Sequence, residues 1–307
     1  MRESLYLFDN FSPQELHQYL TSFNVRRFAP ALPGESWRQE LAEFAEGAMI
    51  EGEFLERERA GIRHLAARAP ADADGFLTWF EGLRETGPGQ NDPLFPWLAT
   101  SASLAEMKWF LTQEVAGEAG FDDLTALTQV RLPKRVKLEL ARNYWDEMGR
   151  GKPKGMHGPL LETLAARLGL EPRVETTVWE ALALANTMAG LAANRRYAFH
   201  SIGALGVIEM TAPSRSAAVA AGLKRLGIPA GDRHYFDLHS ILDVKHSLAW
   251  NAEAIRPLVT EQPIVSCAIA EGALMRLECG RRCFERYRRE LGLTASRAPS
   301  DLILQQS

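Results

Sequence analysis

Two imidazoles and a carboxylate recur at short, regular intervals late in the sequence. His239, Asp243 and His246 follow one another at steps of four and three residues. Because a helix turns about 100° per residue, these steps bring the three side chains within a sector of roughly 60° on one helical face. Imidazole and carboxylate groups that converge in this way are typical ligands of a redox metal such as iron. A solvated polar stripe is the alternative for this segment alone, although apolar residues such as Phe236 lie close to the trio.

Carboxylates on apolar helical faces are candidates for the remaining ligands. Glu114 follows Phe110 by one helical turn, and Glu147 ends a helical face that carries valine, leucine and tyrosine. A buried carboxylate is unfavourable unless it is paired or bound to a metal. His157 follows Glu147 by ten residues, past a glycine-rich turn, and we expect it to enter the same cavity. A surface position is the alternative for His157, and Glu118 is the rival of Glu114, with a wetter position near its helix end.

Helical patterns punctuated by proline and glycine must position these side chains. The motifs Ser12-Pro13-Gln14-Glu15 and Ser103-Leu-Ala-Glu106 predict capped helix starts. We find neither a convincing strand pattern nor an internal repeat, and some eight to ten helices predict an all-α bundle. One domain is expected over 1–307, with an N-terminal helical extension over about 1–95. Further helices are predicted over about 36–68, 72–84, 133–148, 158–168, 176–209, 214–226, 232–253 and 263–291.

Composition narrows the functional classes. The 307-residue chain has a net charge of −4 at pH 7 and a pI near 6.0, which argues against a general nucleic-acid binder. It contains neither a signal-peptide pattern nor an apolar run long enough to span a membrane. The three cysteines form no disulfide framework, so we expect a cytoplasmic protein. They also lack an evident histidine partner, which disfavours a thiaminase-like hydrolase with a cysteine nucleophile.

At these residues the sequence resembles the haem-oxygenase-like diiron oxidases and oxygenases, a family of iron-containing redox enzymes. The resemblance runs over residues 110–114, 138–149, 157 and 235–246. It implies a haem-oxygenase-like, or thiaminase-like, helical bundle that binds two iron ions and uses O2 as co-substrate. The ligand pattern that the resemblance implies falls on Glu114, Glu147, His157, His239, Asp243 and His246.

The activity that the resemblance implies is that of a non-haem diiron oxidoreductase acting on a small organic substrate. Residues 143–149 resemble the N-oxygenating domain of the enzyme that forms the N-nitrosourea group of streptozotocin, which favours N-oxygenation of an amine or a guanidine. Desaturation or C–C cleavage of an amino or fatty acid is the alternative within the family. An alternative from another class is a non-catalytic helical protein that binds haem or a partner. An external electron donor and a homodimeric state are further open expectations.

Other polar residues are candidates for supporting roles. Glu209 and Glu271 lie among apolar residues, and with Tyr144 they are candidates for orienting a ligand. A helix-end carboxylate paired with a local arginine is the alternative for each glutamate. Arg276 is a candidate for binding a substrate carboxylate, with a surface helix face as its alternative.

Overall fold

A computed structural model describes residues 11–293, which form helices joined by short connections. Over these residues no strand is present, and the all-α prediction is confirmed. The N-terminal half contains α1 (Pro13–Phe28), α2 (Trp37–Ala66), α3 (Ala73–Thr86), α4 (Leu94–Thr100), α5 (Leu104–Ala116), α6 (Phe121–Thr128) and α7 (Lys134–Glu147). The C-terminal half contains α8 (His157–Leu168), α9 (Trp179–Ala193), α10 (Ala198–Arg225), α11 (His234–Trp250), α12 (Arg256–Glu261) and α13 (Val265–Glu290).

The predicted capping boxes begin two of these helices. The Ser12 backbone N–H donates to the Glu15 carboxylate at 2.8 Å, and the Glu15 N–H donates to the Ser12 hydroxyl at 3.3 Å. The same reciprocal pair joins Ser103 and Glu106, at 2.7 and 3.3 Å. Because each box satisfies two otherwise unpaired backbone groups, it fixes where α1 and α5 start.

The long helices α10 and α13 pack together in the interior. A Cβ atom at Gly203 would lie 1.9 Å from the carbonyl oxygen of Ile269, and one at Gly272 would lie 1.8 Å from that of His200. Only glycine permits such a close approach of two backbones. On another side of α10, the Trp250 indole donates to an α10 carbonyl at 3.1 Å. These contacts fix α11 and α13 against the helix that carries Glu209.

The structure corrects the predicted boundaries around α10. The helix predicted over 176–209 is interrupted between Ala193 and Ala198, where the Asn194 side chain accepts the backbone N–H of Arg196 at 3.0 Å. The expected break at Pro213 does not occur, and α10 continues through it. Pro213 lacks the N–H that would bond to the Glu209 carbonyl, but packing of α10 on both sides of this residue offsets the loss.

Other differences are of length and position. The short helices α4, α6 and α12 lie outside the predicted ranges, because six to eight residues carry little periodic signal. A π-helical turn, Asn251–Ile255, follows α11 directly. Within residues 11–293, no helix has both the length and the apolar character needed to cross a membrane.

The N-terminal helices dock onto the later ones. The Asn24 side chain of α1 donates to Asn186 of α9 at 2.9 Å, and Arg27 forms a buried ion pair with Glu51 of α2 at 2.8 Å. The division into one domain with an N-terminal extension stays a prediction. Residues 1–10 of that extension lie outside the described residues.

Candidate metal centre

A tight turn between α7 and α8 brings Glu147 next to His157. An isolated antiparallel bridge joins Met148, the residue after Glu147, to Met156, the residue before His157. Gly149 adopts a φ of 60°, and a Cβ atom there would lie 2.4 Å from the backbone on the other side of the turn. The turn therefore requires glycine, and it places the Glu147 Oε2 atom 2.6 Å from the His157 Nδ1 atom.

His239 of α11 completes a first group of potential ligands. Its Nδ1–H donates to the Tyr235 carbonyl at 2.7 Å, which leaves Nε2 without the proton and free to bind a metal. The rings of His239 and His157 lie 4.5 Å apart at a steep angle. Ligand atoms of Glu147, His157 and His239 all lie within 4.8 Å of one another, which is close to the spacing of atoms that share an ion at bond lengths of about 2.1 Å.

A second group shares Glu147 with the first. Ligand atoms of Glu147, Glu209 and His246 lie within 4.8 Å of one another. The His246 Nδ1 atom is 3.4 Å from a Glu209 oxygen and 4.0 Å from an Asp243 oxygen. The Asn143 amide donates to the other Glu209 oxygen at 2.5 Å and holds this carboxylate in place. Because Glu147 belongs to both groups, its carboxylate is placed where it could bridge two ions.

Asp146 orients His246, although sequence reasoning gave it no role. The His246 Nε2 atom lies 3.1 Å from Asp146 Oδ2, so Nε2–H donates and Nδ1 faces the second group. Arg150 in turn donates to Asp146 at 2.6 Å. Burial lowers the pKa of His246, but the nearby carboxylates of Glu209 and Asp146 raise it overall to about 9. This arrangement of carboxylate, histidine and potential ion is common in metal sites.

Several buried polar atoms at the centre have no hydrogen-bond partner within the described residues. They are His157 Nδ1, His246 Nδ1 and Asp243 Oδ1. His157 Nδ1 and Glu147 Oε2 are close but are not aligned for a hydrogen bond. Since buried polar atoms are normally satisfied, three unsatisfied atoms of metal-binding type in one place fit a cation. The donor set of imidazoles and carboxylates fits divalent iron.

The electrostatics of these residues also favour positive charge. Burial, followed by the charges of Glu209 and Glu147, raises the pKa of Asp243 to about 10. Burial and Glu209 likewise raise the pKa of Glu147 well above its ordinary value. Burial, together with a neighbouring imidazole in each case, lowers the pKa of His157 and of His239 to about 4. The carboxyl groups retain protons that bound cations could replace, and both imidazoles are neutral and available as ligands.

A cavity of about 230 Å³ adjoins the centre. Glu147, His157, Glu209, His239 and Asp243 line it, together with mostly apolar side chains. The apolar wall limits water at the ligands and leaves room for a small organic molecule.

Glu114 and its rival Glu118 line this cavity but lie outside both ligand groups. The Glu114 carboxylate accepts a hydrogen bond from the Tyr287 hydroxyl at 2.9 Å. Glu118 accepts the backbone N–H of Gly120 at 3.1 Å. Burial raises the pKa of both carboxyl groups. The structure thus brings five of the six predicted ligands together, adds Glu209 to the second group, and places Glu114 in the wall of the adjoining cavity. The sequence feature that could have identified Glu209 as a ligand is its position among apolar residues in α10.

The other candidate residues are dispersed. Glu271 lies 2.9 Å from a His200 nitrogen and 3.3 Å from Arg59, outside both ligand groups. Tyr144 is partly buried and does not line the cavity. Arg276 does line the cavity, where its side chain faces the interior rather than a surface helix face.

Comparison with known proteins agrees with these observations. The family model described as "iron-containing redox enzyme" matches residues 108–281, which include both ligand groups. No match to a curated protein is found.

Solved structures that resemble the fold include the following three. Two are crystal structures of a CADD-like protein of unknown function from Nostoc punctiforme. They have TM-scores of 0.55 and 0.53 at 19% and 20% identity, and the matches cover 70% and 73% of this chain and 96% and 97% of theirs. The third is a domain of unknown function with a heme oxygenase-like fold from Shewanella denitrificans. Its TM-score is 0.51 at 17% identity, with 72% of this chain and 92% of that chain covered. The haem-oxygenase-like fold expected from the sequence is confirmed.

Proposed function

This chain belongs to the iron-containing redox enzyme family, and we propose that it is an O2-using, non-haem diiron oxidoreductase acting on a small organic substrate. The observation that carries the proposal is the Glu147 carboxylate, which two groups of potential ligands share. A single ion bound by one group would leave the imidazole and carboxylate of the other group without a ligand role. Two ions that both used Glu147 as a ligand would account for both groups.

The proposed ligands differ from the sequence expectation in one carboxylate. Glu209 takes the place of Glu114, so three imidazoles and three carboxylates still face two divalent ions. Two divalent ions held by three carboxylates would leave a net charge of about +1, so the centre could accept a further anion. The proposed ligands are Glu147, His157, Glu209, His239, Asp243 and His246.

Bound iron would supply the electrons that begin the reduction of O2. The residues of this chain hold the centre in one geometry: Asp146 and the Tyr235 carbonyl orient His246 and His239, and Asn143 orients Glu209. Apolar residues of the cavity keep bulk water from the ligands. Transfer of one oxygen atom to an N–H bond, with the other atom released as water, requires two protons and two electrons besides the two that the substrate gives up. Repeated turnover requires that this pair of electrons be replenished. We therefore include an external electron donor in the proposal.

N-oxygenation of an amine or a guanidine is the preferred reaction, and it rests on the resemblance of residues 143–149. Desaturation or C–C cleavage is the second candidate. Turnover in ¹⁸O2 distinguishes them, because N-oxygenation places the label in the organic product and desaturation releases it as water. Unlabelled, dehydrogenated product would replace the first candidate by the second.

A haem-binding or purely partner-binding protein is disfavoured. A single axial histidine suffices for haem and leaves the carboxylates of both groups without a role. A partner-binding protein would not need three unsatisfied polar atoms buried beside one another.

Anaerobic reconstitution with Fe(II), followed by metal analysis, tests the proposal directly. Two irons per chain are expected, and O2 uptake should depend on them. His246→Ala should lose at least one iron. His64→Ala is the matched control, because His64 lies exposed on α2. A wild-type chain that binds no iron would refute the proposal, and full occupancy in His246→Ala would refute the ligand assignment.

A further inference from the structure

Two arginines face the same cavity without a carboxylate partner. Arg215 of α10 and Arg276 of α13 both line it. The Nε and Nη1 atoms of Arg276 are buried and have no hydrogen-bond partner in the described structure. The Arg215 guanidinium lies over the rings of Phe284 and Phe95, at 4.8 and 5.6 Å from their centroids. Within residues 11–293, neither guanidinium has a carboxylate oxygen inside 4.0 Å.

Neighbouring arginines of α13, in contrast, have carboxylate partners. On the same helix as Arg276, Arg282 is paired with Glu58 at 2.5 Å and Arg281 with Glu278 at 2.5 Å. Buried charges are normally paired, because removing them from water is unfavourable. Two unpaired guanidinium groups that point into one cavity therefore indicate a site for an anion.

The acidic side chains of the cavity do not pair directly with Arg215 or Arg276. The charge of Glu114 interacts with both arginines and that of Glu118 with Arg276, but neither carboxylate lies within 4.0 Å of a guanidinium. Glu114 instead accepts from the Tyr287 hydroxyl, and Glu118 from the backbone N–H of Gly120. Burial, followed by the neighbouring Arg276, lowers the pKa of Arg215 to about 9, while Glu114 acts in the opposite direction. Arg215 thus remains a cation at neutral pH, at the expense of repulsion from Arg276. A second negative charge would relieve this repulsion.

The arginines and the metal ligands lie along one helix. Arg215 follows Glu209 by six residues, a rise of about 9 Å along α10. Apolar side chains line the cavity that both residues share, among them Ile208, Leu184 and Val219. A molecule with an anionic end and a short apolar body matches this succession of charged, apolar and metal-binding surfaces.

We propose that Arg215 and Arg276 bind the carboxylate of an organic-acid substrate, whose oxidised group extends through the apolar part of the cavity to the metal ligands. A planar guanidinium matches the two oxygens of a carboxylate, which favours this anion. The inference rests on the proposed function and adds the substrate class to it. The binding of a carboxylate by the arginines, however, does not itself require iron.

The experiment compares acids with their uncharged amides. Butanoate and hexanoate, and butanamide and hexanamide, are titrated by ligand-observed NMR against metal-free and iron-loaded protein at constant ionic strength. We expect each acid to bind about tenfold to a hundredfold more tightly than its amide, because charge-assisted hydrogen bonds replace neutral ones. The preference should be present in both metal-free and iron-loaded protein.

Variants then test whether the two arginines cause the preference for acid over amide. Arg276→Gln and Arg215→Gln should each reduce it to a few-fold or less, and Arg276→Lys should retain part of it. Arg281→Gln is the matched control, because it makes the same change on α13 at a side chain paired with Glu278 and Glu285. Circular dichroism and melting temperature identify any variant that does not fold, and the lysine variant then carries the comparison.

Three results would overturn the inference irrespective of iron loading. They are equal affinity of acid and amide for the wild-type protein, absence of binding by both acids, and an unchanged preference in both glutamine variants. A preference seen only with iron would assign the carboxylate to the metal and would also overturn it. Failure of the proposed function is recognised separately, as absence of iron binding with the acid preference intact.

Discussion

Replacing Gly149 with alanine tests whether the turn between α7 and α8 builds the metal centre. The substitution introduces two separate problems. A residue other than glycine at φ 60° is disfavoured by about 1–2 kcal/mol. The new Cβ atom would also lie 2.4 Å from the Gly155 carbonyl carbon, so the two sides of the turn must separate by about 1 Å. Such overpacking is unfavourable by a further 1–3 kcal/mol, roughly.

Gly169→Ala is the matched control. Gly169 ends α8 with the same φ of 60°, but a Cβ atom there would meet nothing within 4 Å. Gly169→Ala should lower the free energy of unfolding by only about 1–2 kcal/mol, which is the cost of the left-handed backbone conformation for alanine. The difference between the two variants, about 1–3 kcal/mol, therefore isolates the collision across the turn.

Urea unfolding and metal analysis measure the two consequences. Gly149→Ala should lower the free energy of unfolding by about 2–5 kcal/mol in total, from the two terms above. It should also bind fewer irons than wild type. Separation of the two sides of the turn would move His157 away from Glu147. Gly169→Ala should keep the wild-type iron content. Equal destabilisation and equal iron content in the two variants would refute the view that this turn sets the distance between Glu147 and His157.

Further predictions concern other residues around the centre and in the N-terminal helices. Glu209→Gln should lose iron upon reconstitution, whereas Glu114→Gln should keep the wild-type iron count; the opposite pattern would restore Glu114 as a ligand. Asp146→Asn should weaken iron binding about 10- to 100-fold, measured by competition with a chelator, because His246 loses its orienting carboxylate; unchanged affinity would show that Asp146 does not tune the site. Burial, and then the charge of Arg282, lower the pKa of His17 to about 3, below its ordinary 6.5. The unfolded chain therefore takes up this proton first as the pH falls, and between pH 7 and 5 urea unfolding should show a loss of up to about 2 kcal/mol that is absent in His17→Gln.

The sequence by itself determined those parts of the site that depend on neighbouring residues along the chain. Steps of four and three place His239, Asp243 and His246 on one side of any helix that contains them. The capping boxes at Ser12 and Ser103 define helix starts through bonds that span only three residues. The absence of alternating patterns was sufficient to predict an all-α fold, since helical hydrogen bonds are local.

Only the tertiary structure decided which residues meet from different helices. Glu114 and Glu209 both follow apolar residues on their helices, so periodicity could not choose between them. The choice depends on the rotation and depth of each helix, and these follow from contacts such as the approach of α10 to α13 at Gly203. Asp146 lies about 100° from Glu147 around α7, yet α11 packs close enough for His246 to reach it. The geometry between helices depends on side-chain packing across the whole core, and a local pattern does not contain that information.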